Sequence, residues 1–223
     1  IGDKEYDFVK GTQNFKNKLI GYFPDEKLAI ENYVKLVFKT IKTSQKFYIS
    51  KALPSILNFL IGKKMRTPFY NYSDKTTYEV LKSITDNEEL IKVLTGQYGD
   101  YGLPPKKSSF VMHAAVARHY FGGGSFPIGG SSQIAKTIDS VIEKAGGTIL
   151  ISADVQEIII SNKTATGVKM SDGKIFSAKK IISGTGIMTT YNKLIPSSIG
   201  NKFKLKNQLQ KVSRSVSHAC LYI

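Results

Sequence analysis

Between Ser125 and Ile160 the chain changes its period. The run SFPIGGSSQIAKTIDSVIEKAGGTILISADVQEIII places the glycine pair Gly129–Gly130 before a helical pattern and the pair Gly146–Gly147 after it, and then alternates as a strand. Ile134, Ile138, Val141, Ile142 and Ala145 recur near a 3.6 period, with Ser131 or Ser132 placed to cap the start and the second glycine pair placed to end it. Short strands follow at TILI, VQEIIIS, ATGVKMS, KIFSA and KKIIS, joined by turn signals at Asn162-Lys163 and Asp172-Gly173. A glycine pair directly before a helix lets a bulky ligand come close to the backbone and leaves the first helical N–H groups facing it. The same Pro-x-Gly-Gly spacing is also an ordinary tight turn, so spacing alone leaves both readings open.

Upstream of Gly122 the pattern is helical. PDEKLAIENYVKLVFKTIKTSQKFYI sets Leu28, Ile30, Tyr33, Val34, Val37, Phe38 and Ile41 close to one face, with Asp25 as the expected N-cap. SKALPSILNFLIGKKMR carries Leu53, Ile56, Leu57, Leu60 and Ile61 on a short apolar face that is expected to close on Gly62, flanked by Lys51, Lys63, Lys64 and Arg66. That face suits a core helix or a membrane-surface contact over residues 53–66. Two shorter helical patterns lie within TTYEVLKSITDNEELIKVLTG, and a Gly-, Tyr- and Pro-rich loop runs from Gly96 to Pro105. In the next helix Phe110, Met112, His113, Val116, Ala117, Tyr120 and Phe121 form a face broad enough to wall an apolar pocket before the chain stops at Gly122–Gly124. Tyr98, Tyr101, Tyr120 and Phe121 read first as packing residues, and Asp100-Tyr101-Gly102 as a loop brace. His113 and His119, six residues apart on a helix, do not share a face and read as structural histidines.

Composition removes several functions. Hydrophobic residues at 41% and charged residues at 22% suit a folded globular chain rather than a disordered one. No run reaches the roughly 18 apolar residues that a membrane-spanning helix needs. Thirty-two Lys and Arg against 17 Asp and Glu give +15, but the lysines are spread along the chain and no nucleic-acid recognition motif accompanies them. Nucleic acid is therefore not the expected partner. Three histidines at unfamiliar spacings imply no metal, and the single Cys220 excludes an internal disulfide and favours a reducing, cytoplasmic setting. The chain begins at Ile1, without a Met or a secretory leader, and reads as an internal piece of a longer protein.

The ordered set FPIGGSSQIAKTIDSVIEKAGGTILISADVQEIII, ATGVKMSDGKIFSAKKIISGTG resembles a flavin-contacting segment of the FAD-dependent oxidoreductases of the amine oxidase and phytoene desaturase superfamily. YFPDEKLAIENYVKLV, YGDYGLPPKKSSFVMHAAVARHYFGGGSFPIGGSSQIA and TTYNKLIP are similar to its retinol saturase branch, which neighbours the carotenoid desaturases and isomerases. The resemblance runs from about Gly21 to Pro196. It implies FAD as cofactor, with NAD(P) open as a second redox partner, and an apolar polyene or another lipid as substrate. It further implies that Val155 meets the adenine through its backbone, that Gly184 and Thr185 lie against the pyrophosphate, and that Gly129 and Gly130 sit near the isoalloxazine ring. Gln133 would face the substrate cavity, and Tyr98, His113, Tyr120 and Phe121 would line it.

The Gly-rich loop that opens the dinucleotide-binding βαβ unit in that superfamily does not occur here; Gly122–Gly124 follows no buried strand and lacks its spacing. The expected fold is α+β: a mostly helical substrate-binding lobe over residues 1–122, then a helix and a β meander over 123–223 that contribute to the flavin layer in a small, mainly antiparallel sheet. The implied reaction reduces, desaturates or isomerises a carbon–carbon double bond, and no catalytic residue is assigned within the chain. A non-catalytic module for an apolar ligand or a partner, and an amine oxidase-like flavoenzyme, are the two rival readings.

Overall fold

The computed structural model describes residues 1–200 together with Leu209 and Lys211. The described chain forms two compact units, one over residues 1–125 and one beginning at Phe126. The class is α+β, with helices throughout and one three-stranded antiparallel sheet.

The first unit is built on one long helix. After α1 (Thr12–Tyr22) and a single 3-10 turn at Pro24–Glu26, α2 (Lys27–Ala52) runs for 26 residues, about 39 Å at 1.5 Å per residue. Its stripe of Ile30, Tyr33, Val34 and Val37 is buried against Phe15 and Leu19 of α1, and against residues of the shorter helices that follow. Each such fully buried large side chain contributes on the order of 2 kcal/mol from removal of apolar surface from water. Past Val37 the buried face changes to Thr40, Thr43, Ser44 and Ser50. The Thr43 and Ser44 hydroxyls donate back to the Thr40 carbonyl at 2.7 and 3.0 Å, which satisfies them locally and keeps this half of the face narrow.

Three expectations for this unit need correction. Asp25 does not cap α2, because the 3-10 turn occupies its position and Glu26 precedes the helix without a side-chain cap. Leu28 and Phe38 are off the buried stripe and exposed; Phe38 instead carries the Arg118 guanidinium over its ring at 4.7 Å. Gly62 does not end a helix. The chain passes from α3 (Ser55–Leu57) through a π turn at Asn58–Gly62 into α4 (Lys63–Ser73), and Gly62 has helical φ −60°. The missing side chain there makes room for Arg66 Nη1 to reach Asn58 Oδ1 at 2.6 Å; a Cβ on Gly62 would fall 2.0 Å from that oxygen.

Two short helices are set by their caps. Thr76 and Glu79 form a reciprocal capping box at the start of α5 (Thr77–Lys82), and Asn87 Oδ1 accepts the Leu90 N–H at 3.0 Å at the start of α6 (Glu88–Leu94). These helices deliver Leu81, Leu90, Ile91, Val93 and Leu94 to the core. A 3-10 turn at Tyr98–Tyr101 ends on Gly102, whose φ of +82° reverses the chain, and α7 (Phe110–Tyr120) then packs on α2, α4 and α5.

The second unit opens with α8 (Ser132–Lys144), which ends where Gly146, at φ +75°, lets the Gly147 N–H turn back to the Ile142 carbonyl. The strands β1 (Val155–Ser161), β2 (Thr164–Met170) and β3 (Ile175–Ser177) pair antiparallel in the order β1-β2-β3. Asn162 and Lys163 take the positive φ values that a tight two-residue hairpin requires, and Gly173 does so in the next turn. Ile158, Met170 and Leu194 make a small core; Leu194 arrives on a π turn at Thr190–Leu194 after α9 (Ile187–Thr189) and before α10 (Ser197–Gly200).

TILI and KKIIS are not strands. A strand needs a neighbour for its N–H and C=O groups, and among the described residues neither run has one. Ile151 at 87% and Ile182 at 95% exposure show how far their apolar side chains stand out. The strand expected in SVSHACLYI, with His218 and Cys220, lies outside the described residues.

Removing the capping box by Thr76→Ala is expected to lower stability by about 1 kcal/mol in urea titrations. An unchanged midpoint would show that α5 is held by packing alone.

Candidate functional site

Within the first unit a cavity of about 250 Å³ opens between α2, α6, the Tyr98–Tyr101 turn, α7 and the N-terminal segment. Its apolar wall comes from Phe15, Leu94, Val116, Ala117 and Phe121, and its aromatic and polar part from Tyr33, Tyr101, His113, Tyr120 and Gln97. The helical period of α7 explains the wall. His113, Val116, Ala117 and Tyr120 fall at i, i+3, i+4 and i+7, which is one side of a helix.

His113 sits at the inner end, buried to 3% exposure. Its two ring nitrogens face two phenols: Tyr33 Oη lies 2.9 Å from Nε2, and Tyr101 Oη lies 3.2 Å from Nδ1. Phe110 packs on the imidazole with ring centroids 5.7 Å apart. Burial among these groups makes the charged imidazolium costly, so the His113 pKa is pushed down to about 4. Burial also pushes the Tyr101 phenol up to about 12, opposed by a hydrogen bond from the Ser108 side chain, and it raises Tyr33 as well. All three groups are neutral across the physiological range, and the cavity offers hydrogen bonds without charge at this end.

Of the residues expected to line the pocket, His113, Tyr120 and Phe121 do so. Tyr98 does not. At 43% exposure it lies outside the lining, and it is Tyr101 that reaches His113. Gln133 belongs to the second unit, on the first turn of α8, where its side-chain amide donates to the Gly129 carbonyl at 3.4 Å. Tyr33 was legible as a core residue but not as a cavity residue. The signal that could have found it is a lone tyrosine in an otherwise aliphatic buried stripe, since a buried phenol needs a partner.

The residues that the resemblance assigns to a flavin lie in the second unit. Gly129 and Gly130 both have positive φ, +87° and +92°, so this turn excludes ordinary side chains, and nothing approaches within 4 Å of where a Gly130 Cβ would stand. Val155 begins β1, the edge strand of the described sheet. The Asp154 carbonyl accepts the Ser171 N–H on the β2 side, and in an extended backbone the next carbonyl, that of Val155, points the other way, to the open edge. Gly184 and Thr185 are exposed in an irregular segment, with nothing within 4 Å of a Gly184 Cβ, and the Thr185 hydroxyl lies in a cluster with Ser183 and Thr190. Bare backbone at two glycine sites and an open strand edge fit a large planar and anionic cofactor. No group of three His, Cys, Asp or Glu able to hold a metal occurs among the described residues.

The buried histidine makes stability depend on pH in a definite direction. Its pKa is about 4 when folded and near the ordinary 6.5 when unfolded, so between these values the unfolded chain binds a proton that the folded one refuses. Stability therefore falls as pH drops from about 6.5 to about 4, by roughly 3 kcal/mol at 1.36 kcal/mol per unit. Urea titrations at pH 7 and pH 4 are expected to show wild type losing that much more than His113→Gln, in which the amide keeps a donor and an acceptor. Equal losses would mean that His113 is not held neutral.

Comparison with known proteins places these features in context. No family model matches the chain. The all-trans-retinol 13,14-reductase of Danio rerio is 32% identical over 226 residues, which cover 98% of this chain and 37% of that protein. A second Danio rerio protein, named an inactive all-trans-retinol 13,14-reductase, is 30% identical over 204 residues, 88% of this chain and 33% of its own length. Prolycopene isomerase 1, chloroplastic, of an Oncidium hybrid cultivar is 26% identical over 200 residues, 86% of this chain and 32% of its own. The chain spans a little over a third of the length of the retinol 13,14-reductases it matches. Similarity that runs through both units and covers nearly every residue makes this chain homologous to part of the all-trans-retinol 13,14-reductases and, at lower identity, to part of the prolycopene isomerases.

Proposed function

We propose that this chain supplies the substrate-binding lobe and part of the flavin-binding layer of an FAD-dependent oxidoreductase that acts on a carbon–carbon double bond of a long apolar polyene. The observation that carries the reading is the cavity of the first unit, an aromatic and aliphatic enclosure with one neutral polar end, in a chain whose relatives are named for retinol reduction and prolycopene isomerisation. When bound, FAD would supply the hydride or electron chemistry. The chain's own part is to position and to exclude water. Phe15, Leu94, Val116 and Phe121 offer a dry wall, and the neutral His113 and Tyr101 add no charge that would draw water in. On this reading Gly129 and Gly130 let the isoalloxazine approach, Val155 meets the adenine through its outward backbone, and Gly184 and Thr185 lie against the pyrophosphate. Nothing among the described residues speaks for NAD(P), nor for a non-catalytic module or an amine substrate.

A reaction readout is needed because a relative named inactive matches almost as well as the one named a reductase. The intact protein, purified with FAD and reduced without oxygen, is expected to have its flavin reoxidised by a conjugated polyene. Gly130→Val, strained at φ +92°, is expected to cut bound FAD at least tenfold while leaving the fold intact by circular dichroism. A flavin that other oxidants reoxidise but no polyene does would overturn the assignment.

The lipid nature of such a substrate gives a role to residues 53–66. Ile56, Phe59 and Leu60 are 77%, 87% and 67% exposed, and Leu57 and Ile61 extend the patch. Lys51, Lys63 and Lys64 are exposed around it, whereas Arg66 is turned inward to Asn58 and Ser50. An apolar patch with a lysine rim is complementary to an anionic bilayer surface. No described helix is long and apolar enough to cross a membrane, so this contact would be peripheral. Vesicles containing phosphatidylserine are expected to sediment the intact protein and to lose at least tenfold of that binding when Leu57 and Leu60 are both changed to Asp. Unchanged sedimentation would remove the membrane contact from the proposal.

A further inference from the structure

The geometry points to Tyr101 as a specificity residue: its hydroxyl donates a hydrogen bond to an oxygen on the end of the ligand, so the cavity prefers a polyene alcohol or carbonyl to the corresponding hydrocarbon. This rests on the reading of the cavity as the polyene site. It follows from counting protons in the Tyr33–His113–Tyr101 chain.

A neutral imidazole carries one proton on two nitrogens. Tyr33 is 1% exposed, and His113 Nε2, at 2.9 Å, is the hydrogen-bond partner its hydroxyl has among the described residues. Were the proton on Nε2, the Tyr33 hydroxyl would have to accept it, and its own hydrogen would point into the core with nothing to receive it. A buried donor without an acceptor is strongly disfavoured. Tyr33 therefore donates to Nε2, the imidazole proton sits on Nδ1, and Nδ1–H donates to Tyr101 Oη at 3.2 Å.

With its oxygen accepting from the His113 Nδ1–H, Tyr101 has its own hydrogen left to donate. Tyr101 is half-buried and lines the cavity, and that hydrogen has no acceptor among the described residues. The other polar side chains of the lining do not duplicate this role. Lys10 and Tyr120 are exposed at the rim, and the nearby Asp100 carboxylate raises the Tyr120 pKa. Gln97 carries both a donor and an acceptor and so does not by itself set a direction. Because Tyr33 fixes the tautomer and His113 fixes the phenol, these two are positioning residues and Tyr101 is the one that would touch ligand.

The test is equilibrium binding of two probes to the intact protein: all-trans-retinol, and the same polyene with a methyl group in place of the hydroxymethyl. Wild type is expected to favour the alcohol by about tenfold, the worth of one well-formed hydrogen bond in a desolvated site. Tyr101→Phe keeps the ring and the wall and is expected to abolish the preference, weakening the alcohol by that factor and leaving the hydrocarbon unchanged. Tyr33→Phe is expected to erode the preference in part, since Nε2 is then free to hold the proton and Nδ1 to accept from Tyr101. A merely structural role would move both ligands together. Equal loss of both probes in Tyr101→Phe, or no change in either, would overturn the inference while leaving the cavity reading intact; wild type that binds neither probe would overturn the cavity reading and this inference with it.

Discussion

The hydrogen bond between Tyr33 and His113 joins two helices that the rest of the first unit is arranged around. Tyr33 comes from the second turn of α2 and His113 from the first turns of α7, 80 residues later. Neither side chain could be buried alone, because a phenol or an imidazole without a partner in an apolar core costs more than its surface returns. Paired, they permit α2 and α7 to meet closely, with Phe110 covering the imidazole and Ala114, one residue on, giving no bulk to push the helices apart. The cavity is the consequence. Where α7 continues past His113, Val116, Ala117 and Tyr120 face the space that Leu94 and Phe15 border but do not fill.

Much of this was legible in sequence, and the failures have a common cause. The helical periods of α2, α5, α6, α7 and α8, the glycine pair that ends α8, and the hairpin turns at Asn162-Lys163 and Asp172-Gly173 all depend on interactions within a few residues, and they stand where the pattern puts them. Gly62 was misread because a glycine after an apolar face is an ordinary helix stop. Here its lack of a side chain serves a tertiary contact, Arg66 to Asn58, that no local pattern encodes. Tyr98 and Tyr101 were indistinguishable for the same reason. The resemblance located the aromatic loop, but which tyrosine points inward depends on the 3-10 turn and on a histidine twelve residues away.

In the second unit several apolar runs are left uncovered among the described residues. TILI and KKIIS have the β-branched, apolar composition of buried strands, and they stand exposed without pairing among the described residues. α8 has the same character, with Ile134, Ile138 and Val141 along one exposed side. A helix and two strand-like runs that are apolar but uncovered agree with one another: each is suited to a sheet with both faces protected. The antiparallel strands β1, β2 and β3, by contrast, pair with one another.

The two polar regions divide the chemical work along the same lines. At the glycine turn and the edge of β1 the chain presents bare backbone with fixed N–H and C=O directions. In the cavity it offers side chains whose protonation is locked by burial, with His113 held near 4 and Tyr101 near 12, so that no ordinary change of pH alters what they donate. On the proposed reading a bound flavin would supply the hydride, and the part of this chain is to hold the substrate still in a dry space. A neutral hydrogen-bond chain anchored on two helices supplies that hold without importing charge.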